Sequence, residues 1–209
     1  MSTLLKIDVS TRGSLSISRR LSSLFLDHWR EAHSDSEIIE RDIATTDLPF
    51  LEFPWITANL TRSSARTEEQ KALLEPSDKL IAELQKADQY LIATPMYNFG
   101  IPAKLKAYVD HIVRSGLTFN VNSDGTYTGL LSGKKATVII ASAGEYVTGA
   151  PAAGLDTLKP YLQEILGFIG VTDVTFIQSG SSWKVDNGSE QAEEHIAPLL
   201  AKLKQAAAA

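Results

Sequence analysis

The chain of 209 residues contains no cysteine. That absence removes disulfides, thiolate nucleophiles and cysteine-ligated metals together, and is compatible with a reducing compartment. Positive charge is also in short supply. Twenty Lys and Arg stand against 25 Asp and Glu, for a net charge of -5, and the cations are scattered, so nothing favours a polyanion such as nucleic acid. No apolar run is long enough to span a bilayer. The opening residues, Met1 to Val9, pass straight into a short alternating segment without the charged-then-apolar pattern of a signal peptide. A cytoplasmic protein with no membrane partner is the expectation.

Several catalytic signatures are missing too. There is no G-x-G-x-x-G, so the usual dinucleotide fingerprint is absent. Gly129 to Lys135 resembles a phosphate loop only superficially, because Gly133-Lys134 is followed by Lys135 where Ser or Thr is required. His28, His33, His111 and His195 form no H-E-x-x-H pair, and no metal site is expected. No G-x-S-x-G elbow precedes a helix, which disfavours an ordinary serine hydrolase.

What the chain does have is a regular alternation. Short apolar runs at Leu4 to Val9, Tyr90 to Thr94, Ala136 to Ser142 and Val174 to Gln178 read as buried parallel strands, with Glu37 to Ile43 as a more polar fifth. Helical spacing of apolar residues follows at Ser16 to His33, Thr67 to Lys86, Pro102 to Arg114, Ala153 to Ile169 and Ser189 to Gln205. Strand and helix in strict succession imply right-handed crossovers. The predicted fold is therefore α/β: a flavodoxin-like, doubly wound, five-stranded parallel sheet with helices on both faces. A hydrophobic content of 44% suffices for one core, and a single domain spanning residues 1–209 is expected. Two segments exceed that minimum: Asp47 to Ser64, rich in Pro, Phe and Trp, and Asn120 to Gly133, with a turn at Asn122 to Gly125. Both are candidate lids or subunit contacts.

In such a fold, ligands bind beyond the carboxyl ends of the strands where the strand order reverses, which points to the loops after the first, third and fourth strands. The first, Ser10 to Arg19, is crowded with hydroxyls and opens a helix, whose first turn presents unpaired N-H groups and partial positive charge. Ser10, Ser16 and Ser18 supply hydroxyl donors and Arg12 or Arg19 supplies charge, a combination suited to a terminal phosphomonoester. Helix capping by Ser14 or Ser16 is the competing role. In the second, Pro95 ends a strand and Pro102 starts a helix, leaving an irregular turn between. Its free backbone groups, with Met96, Tyr97 and Phe99, match a planar heteroaromatic ring. Core packing of those side chains is the alternative.

Pro95-Met96-Tyr97-Asn98-Phe99-Gly100-Ile101-Pro102-Ala103, with Leu105-Lys106 and the serines of the first loop, resembles the FMN-dependent NADH:azoreductase family of flavodoxin-like flavoproteins. The resemblance covers nearly the whole chain. It implies that Ser10, Ser16, Ile17 and Ser18 bind the FMN phosphate and that Pro95, Met96, Tyr97, Asn98, Phe99 and Gly100 line the ring. It also implies a homodimer that reduces quinones and azo compounds with NADH or NADPH. The third loop, Ser142, Ala143, Gly144 and Glu145, departs from the family's usual pair of glycines, so Ala143 and Glu145 stand at ring-contacting positions. Glu145 either biases substrate charge or is simply solvated.

On this reading the reaction belongs to the flavin and no side chain is a required catalytic acid, water or Tyr146 delivering protons. With no fingerprint for a separate nicotinamide berth, both substrates use one open face in a double-displacement sequence. Phe50, Phe53, Trp55, Phe119, Tyr127, Phe168 and Trp183 are unranked candidates for its walls. The alternative function is a non-enzymatic, flavodoxin-like electron carrier. A phospho-accepting receiver is disfavoured by Thr94-Pro95 where an aspartate is needed, and an esterase built on Ser10, Asp186 and His195 lacks a familiar spacing.

Overall fold

A computed structural model describes residues 2–209. Its main sheet holds β1 (Ser2–Asp8), β2 (Ser36–Asp42), β3 (Gln89–Pro95), β6 (Lys135–Ala141) and β7 (Asp173–Ser179), all parallel, in the order β2-β1-β3-β6-β7. A separate antiparallel pair comprises β4 (Phe119–Val121) and β5 (Tyr127–Gly129). The helices are α1 (Ile17–Ala32), α2 (Phe53–Leu60), α3 (Glu68–Lys86), α4 (Ala103–Ile112), α5 (Leu158–Phe168), α6 (Trp183–Asp186), α7 (Ala192–Ile196) and α8 (Leu200–Ala207).

Strands covered on both faces must be apolar on both, and β1 shows it: Leu5, Ile7 and Val9 enter one core, Leu4 the other. The first core adds Leu80, Ile81 and Leu84 of α3, Leu105 and Tyr108 of α4 and Leu158, Leu162 and Leu166 of α5. The second adds Leu21, Phe25 and Trp29 of α1, Ile196 of α7 and Leu203 of α8. Lys6 and Asp8 share the face of Leu4, and they are buried as a pair, Nζ to Oδ2 2.7 Å.

The predicted strands and the first three predicted helices stand, with shifts at their ends. Pro95 is the last residue of β3, as expected, and is still paired opposite Ala141. The next amide, Met96, donates to Ala141 O at 2.8 Å. The N-H that proline lacks faces the other side of the strand, beyond Val9 N to Ala93 O, where β1 has already left the sheet. The helix predicted from Ala153 begins only at Leu158. Pro160 fits the first turn but blocks N-terminal extension, and Asp156 Oδ1 caps that turn by accepting from the amides of Leu158 and Lys159, both 3.0 Å. The helix predicted over Ser189 to Gln205 is split by Pro198 into α7, a 3-10 turn at Ala197–Leu199, and α8.

The two supernumerary segments become α2 and the β4–β5 hairpin. Trp55 and Ala58 of α2 pack against Leu74 of α3. Beneath them the buried Arg114 reaches Asn59 Oδ1 (2.8 Å), Ser77 Oγ (2.8 Å) and Asp78 Oδ1 (2.5 Å), and its guanidinium carbon lies 5.7 Å from the Trp55 ring centroid. The hairpin docks by backbone: a Cβ on Gly129 would lie 2.1 Å from Gly170 N, and Leu131 N donates to Ile169 O. No helix among the described residues is long and apolar enough to cross a membrane.

Candidate functional site

With the order β2-β1-β3-β6-β7 the succession of strands switches from one side of β1 to the other between β2 and β3, and the loops that leave β1 and β3 diverge there. A cavity of about 180 Å³ opens at this point, lined by Ser10, Arg12, Ser16, Ile17, Pro95, Met96, Tyr97, Ala141, Ala143, Ser182 and Asp186.

The β1 loop builds one wall. Ser16 caps α1 by accepting the Arg19 amide at 3.3 Å, and its Oγ lies 3.1 Å from that of Ser18. Ser10 Oγ accepts the Arg12 amide at 3.3 Å. All three serines are buried, Ser18 completely. As the first two residues of α1, Ile17 and Ser18 present amides with no intrahelical acceptor. Ser10, Ser16 and Ile17 line the cavity, while Ser18 lies behind it with its Oγ against that of Ser16, and with the free amides of the first helical turn the set fits the dianionic end of a phosphomonoester. Ser16 therefore both caps the helix and lines the cavity, and the two roles weighed for it coexist. Ser14 is exposed and takes neither.

Neither arginine of the loop is a free phosphate ligand. Arg19 is turned beneath the loop, donating from Nε to Ser10 O (2.7 Å) and from a terminal nitrogen to Asp42 Oδ1 (2.6 Å), with Asp8 Oδ2 3.7 Å away. Burial alone would raise the Asp42 carboxyl; the Arg19 hydrogen bond and charge, with the Ala44 amide, outweigh it and hold the pKa below the ordinary value. Arg12 grips Asp186 with two prongs, at 3.1 and 2.7 Å. That hydrogen-bonded carboxylate raises the guanidinium pKa further.

The β3 loop builds the second wall. Tyr97 and Gly100 exchange both backbone hydrogen bonds at 3.1 Å, and the central residues Asn98 and Phe99 have φ of 50° and 68°. This is a two-residue turn with positive φ at both positions, where Asn is tolerated and Phe is strained. The segment is more regular than the sequence suggests, since Tyr97 and Gly100 bond each other and Met96 bonds Ala141. Among the described residues, the amides of Asn98 and Phe99 donate to no acceptor. Met96 packs against the core while Tyr97 and Phe99 stand exposed.

The β6 loop completes the site. Tyr146 meets Phe99 edge to face with ring centroids 6.0 Å apart, joining the two loops. Ser142 Oγ donates to Gly144 O at 2.9 Å, and Gly144 has no room for a Cβ, which would lie 2.7 Å from the Tyr146 hydroxyl. Glu145 turns toward the β7 loop, where it accepts from Ser181 Oγ at 3.3 Å and covers Gly180. Of the aromatic candidates, none lines the cavity. Phe119, Tyr127 and Phe168 pack together at the hairpin, and Trp55 is buried where α2 meets Leu74 of α3.

Ser182 and Asp186 are contributions that the sequence reading did not assign to this site. They follow β7, which neighbours β6, so the strand order placed a fourth loop at the same edge. The esterase arrangement does not form: Asp186 pairs with Arg12, and His195 sits between Ser179 Oγ (3.0 Å) and Glu190 Oε2 (2.9 Å). No group of three or more metal-ligating side chains occurs among the described residues.

A family model described as "Flavodoxin-like fold" matches residues 2–206. The chain is 43% identical over 207 residues to an FMN-dependent NADH:quinone oxidoreductase 2 of Jannaschia sp. (strain CCS1), covering 99% of this chain and all of that protein. It is 40% identical to FMN-dependent NADH:quinone oxidoreductase 8 of Burkholderia lata, covering 100% and 97%. Among solved structures, an azoreductase from Bacillus anthracis str. Sterne superposes with a TM-score of 0.88 at 26% identity, covering 100% and 99% of the two chains.

Proposed function

The chain belongs to this family of flavodoxin-like folds, and we propose that it is an FMN-dependent NADH:quinone oxidoreductase and azoreductase, working as one FMN-binding domain. The observation that carries the reading is the meeting, in one cavity, of the buried serine loop with a strained aromatic turn. A ligand with a terminal phosphate and a flat polar ring uses both.

Ser10, Ser16 and Ser18, with the amides of Ile17 and Ser18, hold the phosphate. Pro95 to Gly100 support the ring from the β3 side and Ser142 to Glu145 from the β6 side. The unpaired Asn98 and Phe99 amides would be available as donors to the ring. When bound there, FMN supplies two-electron hydride chemistry that amino-acid side chains lack. The chain's part is to position and to desolvate: Met96, Tyr97 and Phe99 exclude water from one side and leave the other open to flat molecules. Nothing in this arrangement demands a side-chain acid.

NADH, or NADPH, and the acceptor use that open face in turn. Initial rates with NADH and a benzoquinone at several fixed quinone concentrations are expected to give parallel double-reciprocal lines; intersecting lines would show a ternary complex. Protein purified without added cofactor is expected to be yellow and to release FMN on denaturation. Colourless protein that fails to bind added FMN would refute the assignment.

We place the enzyme in the cytoplasm as a homodimer. Supporting the dimer, α2 turns Phe53 (81% exposed) and Leu60 (79% exposed) outward beside Ile56, an apolar face that a second copy would cover. A monomer by light scattering at micromolar concentration would contradict it.

A further inference from the structure

The cavity has an acidic residue in its wall. Asp186 is unexpected beside a set of anion-binding hydroxyls, since it opposes the charge of the ligand they suit. Its carboxylate is occupied by Arg12 in a two-pronged ion pair at 3.1 and 2.7 Å that ties the β1 loop to α6 across 174 residues of sequence. The buried lining residues Ser10, Ser16 and Ile17 lie on the inner side, whereas Arg12 and Asp186 are exposed. The pair is therefore the outer rim of the phosphate end.

We infer that the Arg12–Asp186 bridge restricts this site to a flavin carrying one phosphate and excludes the dinucleotide FAD. The inference rests on the FMN reading and adds to it a specificity-determining pair. In FAD the first phosphate is joined to a second, which bears the adenosine. With the first phosphate against Ser10, Ser16 and the α1 amides, the second has to leave past the rim. There it meets a closed bridge, and any path that opens the bridge exposes it to the Asp186 carboxylate. A monophosphate ends before the rim and leaves the bridge undisturbed. An ordinary exposed ion pair contributes little to stability, so the bridge can be removed without unfolding the chain, which makes it testable.

The test uses full-length protein purified with its flavin, exchanged by dialysis against equimolar FMN and FAD, with the retained flavin separated by chromatography. Wild type is expected to retain FMN almost exclusively. In Asp186→Ala, Asp186→Asn and Arg12→Ala the retained FAD:FMN ratio is expected to rise at least tenfold, with melting temperatures close to wild type. The charge-swapped double variant Arg12→Asp/Asp186→Arg is expected to restore the wild-type ratio. An unchanged ratio in the single variants overturns the inference, as does wild type that retains FAD freely or a swap that stays permissive. Protein that retains neither flavin instead refutes the FMN assignment itself, and the inference with it.

Discussion

Thr157 holds the carbonyl of Phe99 twice, from its Oγ1 at 2.7 Å and from its amide at 3.0 Å. Phe99 sits at φ 68°, a left-handed backbone that an aromatic residue resists. The two bonds come from the segment just before α5, far along the chain, and they fix the turn from outside.

Thr157→Val keeps the side chain's shape and the backbone bond but deletes the hydroxyl. FMN affinity is expected to fall several-fold, in keeping with about 0.5–1.5 kcal/mol for a net hydrogen bond. Flavin fluorescence titration checks it; an affinity equal to wild type would mean that the turn needs no such restraint.

Ser18→Ala is expected to weaken FMN binding by about ten- to a hundredfold, since a hydrogen bond to a charged group contributes roughly 1.5–3 kcal/mol. Ser14→Ala, on an exposed residue that lacks Ser18's contact with the cavity-lining Ser16, is expected to leave it near wild type. Equal losses in the two variants, or none in either, would place the phosphate elsewhere.

Arg114→Ala removes a buried cation bonded to Asn59, Ser77 and Asp78. It is expected to destabilise the fold by about 2–4 kcal/mol, and Arg114→Lys to recover little, because a point charge does not replace a planar fork. Urea midpoints decide it: a wild-type midpoint in Arg114→Ala would show that the network is ornamental.

The Asp42 pKa is held below its ordinary value of 3.8. A carboxylate shifted down in the folded state contributes stability above its unfolded pKa and loses it as pH falls through the folded one. The stability gap between wild type and Asp42→Asn is therefore expected to be constant near neutrality and to narrow progressively once pH falls below about 4. Denaturant titrations at pH 7 and pH 3 measure it, and a gap at pH 3 as large as that at pH 7 contradicts the assignment.

The sheet was legible because its inner strands are buried on both faces, so that runs such as Ala136 to Ser142 stand out from the flanking polar residues. The serine-rich junction was legible for a local reason, the crowding of Ser10, Ser16 and Ser18 where one strand passes into a helix. Helix ends at prolines were harder. Pro76 lies inside α3 without ending it, whereas Pro198 divides a helix, and the two look alike in sequence. The Arg12–Asp186 bridge was illegible because its partners are brought together only by the strand order. The same holds for Thr157 and Phe99, and for the backbone contact of Gly129 with Gly170.

That last contact sets what the scaffold can carry. The β4–β5 hairpin is seated at its base with no space for even a methyl group, while its tip, Asn122 to Thr126, is exposed and bonded mainly to itself. Gly129→Ala should unseat the whole arm, yet a peptide tag spliced between Ser123 and Asp124 should leave the sheet untouched. The hairpin is thus a handle, a place to attach a label or a tether without reaching into the flavin cavity.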